Sequence, residues 1–493
     1  MLIASIDLGT THVKGALLNF DDKKEVLSVV RSLSYRIEPV RPEPLAYEHD
    51  PREILKLVKI IIKEICSGVS IDSIVLTSYL FGVFLANERF EPLTNIYTWV
   101  DERSYEVLIE LKPFSKELYG RTGCPHLHVY ALPKLLWLKR RSPNLLRDAR
   151  HFMDSKSLLM HFLTGHNVTD LSSASGTYQM LNIRSLRWDD FALEIAGIDE
   201  NYLPEVRESY ITEPMKTELA HELGISKAVP VVLGVYDGGS MIYGLTGGST
   251  GLGVINMGSS AMMRAVISEP IIDSHSSMRF QTYYLMENTW LAGGAISNGG
   301  VVVEHIIRLL YNVPPDDVST YAEVLNSLGK LRKTPQTLIT VPILLSERLP
   351  LNPARRVSIV GIDSSTRRED IVLSTIEGIV MLLSLLYKAM EENGVVVDEI
   401  RIGGKLTEYL FVRKLVANIL GKKVVYRGFG DVSHLGNLFL FLKAMKYMGS
   451  NEIVRLCINM LQDAERINPE SSGFIKYRNL LEVFEELINK LYI

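Results

Sequence analysis

The sequence predicts an α/β protein built as two related halves, each a sheet flanked by helices. Three observations point there. Short β-branched apolar runs alternate with stretches of helical periodicity along most of the chain. The pattern apolar, Asp or Asn, apolar, Gly, hydroxyl, hydroxyl occurs twice, as IDLGTT at Ile6 to Thr11 and as INMGSS at Ile255 to Ser260. The chain has 493 residues, too many for one core. The expected division falls at the Gly-rich stretch Thr246 to Gly253 (TGGSTGLG), giving segments 1–246 and 247–493 with a cleft between them.

The elements follow in order. Leu2 to Phe20 is two apolar runs joined at Gly9-Thr10-Thr11, a hairpin signal, with Asp7 just before the joint. Glycine lets the chain turn and lets a ligand approach the backbone. Hydroxyl and N–H donors beside a carboxylate suit a phosphate bridged to a divalent cation; an ordinary buried hairpin would carry the same glycine. A third strand is expected around Glu25 to Leu33, before Pro39, Pro42 and Pro44 break the pattern. Ile54, Leu57, Val58, Ile61, Ile62 and Ile65 share one face of a helix over 51–65. Asp72 to Ser78 (DSIVLTS) is a short buried strand.

Ile96 to Ser104 (IYTWVDERS) fits a helix N-terminus, with Asp101 in the first turn and Arg103 exposed. It also fits a wall for a polyhydroxylated ligand, with the Trp99 indole against C–H faces. The residues alone favour the helix. Cys124, His126 and His128 have the wrong spacing for a zinc set, and a loop leading into an amphipathic helix is the plainer reading. Asp170 to Ser175 (DLSSAS) is a hydroxyl-rich loop or a helix cap. Val231 to Leu233 is a buried strand that runs through Gly234 to Asp237-Gly238-Gly239. That puts a carboxylate at the carboxyl end of a strand, where α/β folds hold ligands.

The second hairpin, Ile255 to Ile267, then echoes the first, with Asn256 where the first has Asp7. Any metal is therefore expected on the first side. Trp290 to Gly300 leads into a helix over 301–310, and Leu338 to Pro350 is a buried strand that ends at Glu347-Arg348. Asp370 to Met390 is a long core helix; Glu377 and Lys388 argue against a membrane span. Asp398 to Ile402 is a strand followed by Gly403-Gly404, which lets a ring or phosphate rest on the backbone before the next helix. Asn437 to Ile493 is expected to be mostly amphipathic helix.

Net charge is −4 with no basic block, which argues against nucleic acid as a partner. Cys66, Cys124 and Cys457 lie far apart, as in a reducing cytosol. The start meets Asp7 at once, so no targeting segment is expected.

Taken as an ordered set, these segments resemble the FGGY carbohydrate kinases of the actin-like, ribonuclease H-like superfamily, over nearly the whole length. Asp7, Gly9, Thr10 and Thr11 match the first phosphate motif; Trp99, Asp101 and Arg103 match W-x-D-x-R. Thr122, Gly123 and Lys134 match the TG…K segment, and Asp170, Ala174 and Ser175 match D-x-S-x-A-S. Gly258, Ser259 and Ser260 match the second phosphate motif. Glu347, Arg348 and Pro350 resemble GER-x-P with Ser346 for glycine, and Gly403-Gly404 match the adenosine motif.

The resemblance implies Mg²⁺ and ATP as cofactors, a small sugar or sugar acid as substrate, a cytoplasmic location, and room for a homodimer. It implies Asp237 as general base and Asp7 as the metal residue. Gly9, Thr10, Thr11, Lys14, Gly258, Ser259, Ser260, Gly403, Gly404 and Lys405 fall on the nucleotide. Tyr79, Leu80, Phe81, Trp99, Asp101, Asp237 and Gly238 fall on the sugar. Pro92 to Ser104, the Asp237-Gly238 pair and Trp290 to Gly300 are closest to gluconate kinases, with xylulose kinases next. Two departures stand out: Tyr79-Leu80-Phe81 replaces a polar substrate set, and Lys405 replaces a glycine of the adenosine motif.

Overall fold

The computed structural model describes residues 1–314, 317–329, 338–349, 356–428 and 430–492. Pro350 lies outside the described residues. The N-terminal half is organised on β1 (Leu2–Leu8), β2 (His12–Asp21) and β3 (Val26–Arg36), joined as antiparallel neighbours. Helix α1 (Pro51–Ile65) follows. Its ends are fixed by sequence: the Asp50 side chain accepts from Arg52 N–H, and Pro51 occupies the first turn, where no N–H is missed. The six predicted apolar residues of α1 are all buried. Gly15 on β2 permits the close contact, since an added Cβ would sit 2.1 Å from Ile61 Cγ2.

Strand β4 (Ser73–Ser78) lies parallel to β1. A long excursion then adds three strands, Ile96–Tyr97 among them, to the earlier short strand Glu48–His49, and forms helix α2 (Ser155–Thr164). The chain returns through β5 (Thr212–Pro214) and β6 (Pro230–Val232) to α3 (Asp237–Thr246). The sheet order is β5-β6-β4-β1-β2-β3.

The C-terminal half repeats the plan. Hairpin β7 (Leu252–Met257) and β8 (Ala261–Ile267) is followed by β9 (Gln281–Met286), β10 (Thr289–Ile296) and α4 (Gly300–Tyr311). Then come α5 (Arg368–Glu392), β11 (Glu399–Gly403), β12 (Lys423–Tyr426), α6 (Ser433–Ala444) and β13 (Glu465–Ile467). The sheet order is β9-β10-β8-β7-β11-β12-β13. With β9 set aside, every neighbour and every parallel or antiparallel relation matches the first sheet. Two actin-like, ribonuclease H-like domains related by duplication are the result.

Helix α5 is the one described helix long and apolar enough to cross a membrane, and almost all of it is packed inside the C-terminal half. Buried Glu377 accepts from Tyr477 Oη at 2.5 Å, which satisfies the carboxylate within the core.

The equivalent helices α3 and α6 pack on each other between the halves. Gly436 makes this close approach possible, because a Cβ there would lie 1.9 Å from Ser240 O. Ser240 Oγ donates to Asn437 Oδ1 at 2.8 Å, and Asn437 Nδ2 donates to Ser5 Oγ on β1 at 2.7 Å. The expectation of amphipathic helix from Asn437 onward therefore fails for α6. Its residues from Leu435 to Leu442 are all buried, because both halves cover it. The expectation holds better for the later helices Ser450–Met460 and Ser471–Tyr492, which keep exposed faces.

Candidate active site

The first hairpin tip and the starts of α3 and α6 come together, with Lys14 within the fields of Asp431, Asp7 and Asp237. In the first tip, Gly9 N–H donates to His12 O at 3.0 Å and closes the turn. Asp7 is the last residue but one of β1, with 8% of its surface exposed, and its Oδ1 accepts from Thr77 Oγ1 at 2.9 Å. Burial raises its pKa; the Lys14 charge opposes this, and the Asp431 charge adds to it. Thr10 Oγ1 accepts from Trp99 Nε1 at 2.9 Å, and Thr11 is exposed at the tip. Lys14 Nζ lies 3.5 Å from Asp431 Oδ2, which links β2 to the loop before α6.

Asp431 was not found by sequence reasoning. It lies two residues before the first residue of α6 and accepts from Ser433 N–H and Oγ at 3.1 and 2.6 Å. Burial alone would raise it, but Ser433, His434 and Lys14 together hold it below the usual carboxylate value.

Asp237 occupies the first turn of α3. Its Oδ1 accepts from Gly238 N–H at 2.7 Å, and burial, then the Asp7 charge, push its pKa up to about 7. Its approach is held by a second group that sequence reasoning missed. Fully buried Lys156 on α2 donates to Leu233 O at 2.7 Å and Val235 O at 3.1 Å, and its Nζ lies 3.2 Å from Asp170 Oδ2. Asp170 also caps the helix Leu171–Thr177 through Ser173 N–H, so the cap reading of DLSSAS is the observed one. Gly238 keeps the space before Asp237 open, since its Cβ would lie 3.0 Å from the Tyr236 ring and 3.9 Å from Met262 Sδ.

In the second tip, Gly258 O and Ser259 O accept from Gly300 and Val301 N–H at 2.7 and 3.1 Å. The hairpin thus rests on the N-terminus of α4, with Ser259 and Ser260 exposed. Gly404 adopts φ +96°, and a Cβ there would meet Asn256 Oδ1 at 2.5 Å, so the double glycine touches the second hairpin directly. Beside it lies a cavity of about 450 Å³, lined among others by Gly258, Ser259, Glu304, Arg308, Lys405 and Tyr409. That volume suits a nucleoside. A cavity of about 570 Å³ behind Arg103 and Trp137 is away from both tips.

The proposed sugar side is mixed. Trp99 faces the cleft, bonded to Thr10 and covered by the Arg348 guanidinium 4.8 Å from its ring centre. Phe81 has a left-handed backbone (φ +71°), unusual for a bulky residue, and its ring meets Tyr130 at 5.4 Å. Its carbonyl accepts from buried Lys134 Nζ at 2.6 Å; the other two acceptors of that ammonium are Tyr97 O and Val129 O. Leu80 packs beside Gly176 and Tyr283.

Tyr79 turns the other way, into the N-terminal core, with its hydroxyl 2.9 Å from His49 Nδ1. Asp101 sits behind the wall rather than on it. It is 3% exposed, and its oxygens accept from Tyr47 N–H and from Arg103 Nε and Nη2. Arg103 is not exposed as expected. Its side chain is 9% exposed and pairs with Asp101, Glu43 and Glu48.

Among the described residues no three His, Cys, Asp or Glu side chains form a metal cage, Cys124, His126 and His128 included. The cleft nevertheless carries excess negative charge: Asp7, Asp237 and Asp431 act on the single ammonium of Lys14. That balance fits a Mg²⁺ ion held mostly by water and phosphate, which demands few protein ligands.

The FGGY family of carbohydrate kinases, N-terminal domain, matches residues 2–244, and its C-terminal domain matches residues 253–445. The chain belongs to this family. A gluconokinase of Bacillus licheniformis is 29% identical, over 99% of this chain and 95% of the relative. The solved structure of a gluconate kinase from Lactobacillus acidophilus superposes with a TM-score of 0.89 at 27% identity, covering 100% of this chain and 98% of that one. A ligand-bound xylulose kinase from Lactobacillus acidophilus gives 0.90 at 26% identity, covering 99% and 98%. This FGGY protein is a carbohydrate kinase.

Proposed function

We propose that this kinase transfers the γ-phosphoryl group of ATP to a primary hydroxyl of a sugar acid, with gluconate as the acceptor. Asp237 carries the reading. A carboxyl pushed up to about 7 at the mouth of the cleft is poised to take a proton near neutral pH. The acceptor hydroxyl gives its proton to Asp237 as its oxygen bonds to the γ-phosphorus. The bond from that phosphorus to the β,γ-bridging oxygen breaks, and ADP leaves. Thr10, Thr11, Ser259 and Ser260 donate hydrogen bonds to the phosphate oxygens from two sides, with Lys14 on the first side. Such fixed donors stabilise charge that spreads over the transferring group.

Asp7 would hold Mg²⁺ through water; the ion, when bound, neutralises charge on the β- and γ-phosphate oxygens. Gly403, Gly404 and Lys405 border the nucleoside. Leu80, Phe81, Trp99 and Gly238 shape the acceptor side, while Asp101 acts through the Trp99 loop and Tyr79 through the fold of its strand end. The chain divides between Thr246 and Gly247, where α3 ends in a glycine with φ +61°. A cytoplasmic location and pairing of two chains belong to the same reading.

A ketopentose or polyol acceptor is the second reading. It is favoured by apolar Leu80 and Phe81, which offer a long polyhydroxylated acid little hydrogen bonding. A coupled ADP-release assay over gluconate, xylulose, ribulose and glycerol separates the two. The expected result is the highest kcat/KM with gluconate. Higher kcat/KM with a neutral sugar would overturn the acceptor, and no acceptor-dependent ADP release would overturn the whole reading.

A further inference from the structure

Three buried arginines show what a buried guanidinium in this protein ordinarily has. Arg103 faces three carboxylates, Arg401 pairs with Glu399 at 3.3 Å, and Arg413 pairs with Glu465 at 2.9 Å. Arg264 differs. It is 4% exposed, lies on β8, and has no carboxylate partner among the described residues. Its Nη2 donates to Gln281 Oε1 at 2.6 Å, and its guanidinium carbon stands 4.7 Å from the centre of the Tyr283 ring. Its Nη1 is buried with no acceptor among the described residues. A buried cation without a counter-charge is costly, and an unfilled donor adds to the cost.

Arg348 repeats the anomaly from the other side. Its guanidinium covers Trp99, and its Nε is buried without an acceptor among the described residues. Burial is the main force that lowers its pKa; Glu347 opposes this, and the like charge of Arg264 adds to it. Glu347 itself is committed to Ser297 N–H and Asn298 Nδ2 at 2.6 and 2.7 Å. The two guanidiniums therefore lie close enough to repel, and among the described residues Arg264 has no ion pair to offset this.

That region adjoins the acceptor side. Met262 precedes Arg264 by two residues, so both project from the same face of β8, and Met262 Sδ is the neighbour of Gly238. Gln281 Nε2 donates to Tyr130 Oη at 3.2 Å; that hydroxyl is 2.8 Å from Tyr283 Oη, and the Tyr130 ring meets Phe81. Tyr236, whose ring flanks Gly238, lies within the fields of both Arg264 and Asp237, so the guanidinium and the carboxylate share one neighbour.

We propose that Arg264, with Arg348 beside it, binds the carboxylate of an aldonate substrate and so selects sugar acids over neutral polyols of the same length. This rests on the sugar-acid kinase reading above and names the group that reads the acid. A planar guanidinium held by Gln281 and Tyr283 presents parallel N–H donors to a carboxylate, the strong bidentate arrangement. Lysine at this position keeps the charge and loses the fork.

The test compares the wild-type protein with Arg264→Gln and Arg264→Lys, using gluconate and its neutral counterpart glucitol. Two readouts are taken: kcat/KM for each acceptor with Mg-ATP, and calorimetric binding of gluconate without nucleotide. The expected result is a gluconate-to-glucitol ratio of kcat/KM that falls about 100-fold in Arg264→Gln and recovers in part in Arg264→Lys. A ratio unchanged in both variants, or a wild-type preference for glucitol, overturns the proposal. Should thermal melting show Arg264→Gln unfolded, Arg264→Lys decides alone, with a fall of about 10-fold or more expected. If no acceptor is phosphorylated but gluconate binding is weakened at least 10-fold in the variants, the kinase reading fails and the carboxylate site stands. Absence of gluconate binding to the wild-type protein, together with absence of turnover, overturns both.

Discussion

The tip at Gly9 to Thr11 and the tip at Gly258 to Ser260 stand at the same place in equivalent sheets, yet they keep different company. Both follow a strand paired antiparallel on one side and parallel on the other, and residues 7 and 256 hold the same position before the turn. At the first, Asp7 is opposite Thr77 on β4, within the fields of Lys14 and Asp431. At the second, Asn256 is opposite Gly403 on β11, and its side chain touches Gly404. In the proposed reading, the backbone of the duplicated hairpin supplies phosphate donors twice. The side chain before the turn decides what else each copy does: a carboxylate suits a cation, and a neutral amide beside two glycines leaves room for a nucleoside.

Exchanging those side chains is the sharpest way to break the comparison. Asp7→Asn makes the first tip resemble the second, and kcat should fall about 100- to 1,000-fold, with a raised Mg²⁺ requirement in steady-state assays. A near-normal Mg²⁺ titration would remove the asymmetry. The next effect is about 10-fold and concerns what lies between the tips. Asp237 must be ionised to accept a proton, so kcat/KM should drop on the acid side of about pH 7. Lys156 lowers the Asp237 pKa. Lys156→Met should therefore move that acid limb to higher pH, whereas a purely structural lysine would change activity without moving the limb. The smallest effect is that of Asn256→Asp, which puts a negative charge near the nucleotide phosphates. KM for ATP should rise a few-fold while kcat stays within about threefold, read from ATP saturation curves.

Much of this arrangement was legible in sequence because it is local. A glycine between β-branched runs, Asp50-Pro51 before a helical face, and a double glycine after a strand each fix their own geometry within a few residues. The hairpins, α1, α5 and the Asp237 strand end all appear within a few residues of where those signals put them. The unread parts depend on partners far along the chain. Lys14 meets Asp431 across 417 positions, and Lys156 meets carbonyls 77 and 79 positions away. Arg103 looked exposed because Glu43 and Glu48 converge on it only after a two-residue strand pairs Glu48 with Tyr97. α6 looked amphipathic until both halves covered it. Arg264 is a single charge in an apolar strand; nothing local marks it as unpaired.

The central claim is that Asp237 takes the acceptor proton between two phosphate-binding tips. Turnover of Asp237→Asn with Mg-ATP and the best acceptor tests it most directly, beside a thermal melt that verifies folding. The expected result is a melt like that of the wild-type protein with kcat reduced about 100- to 10,000-fold. A folded variant that turns over at the wild-type rate would contradict the claim.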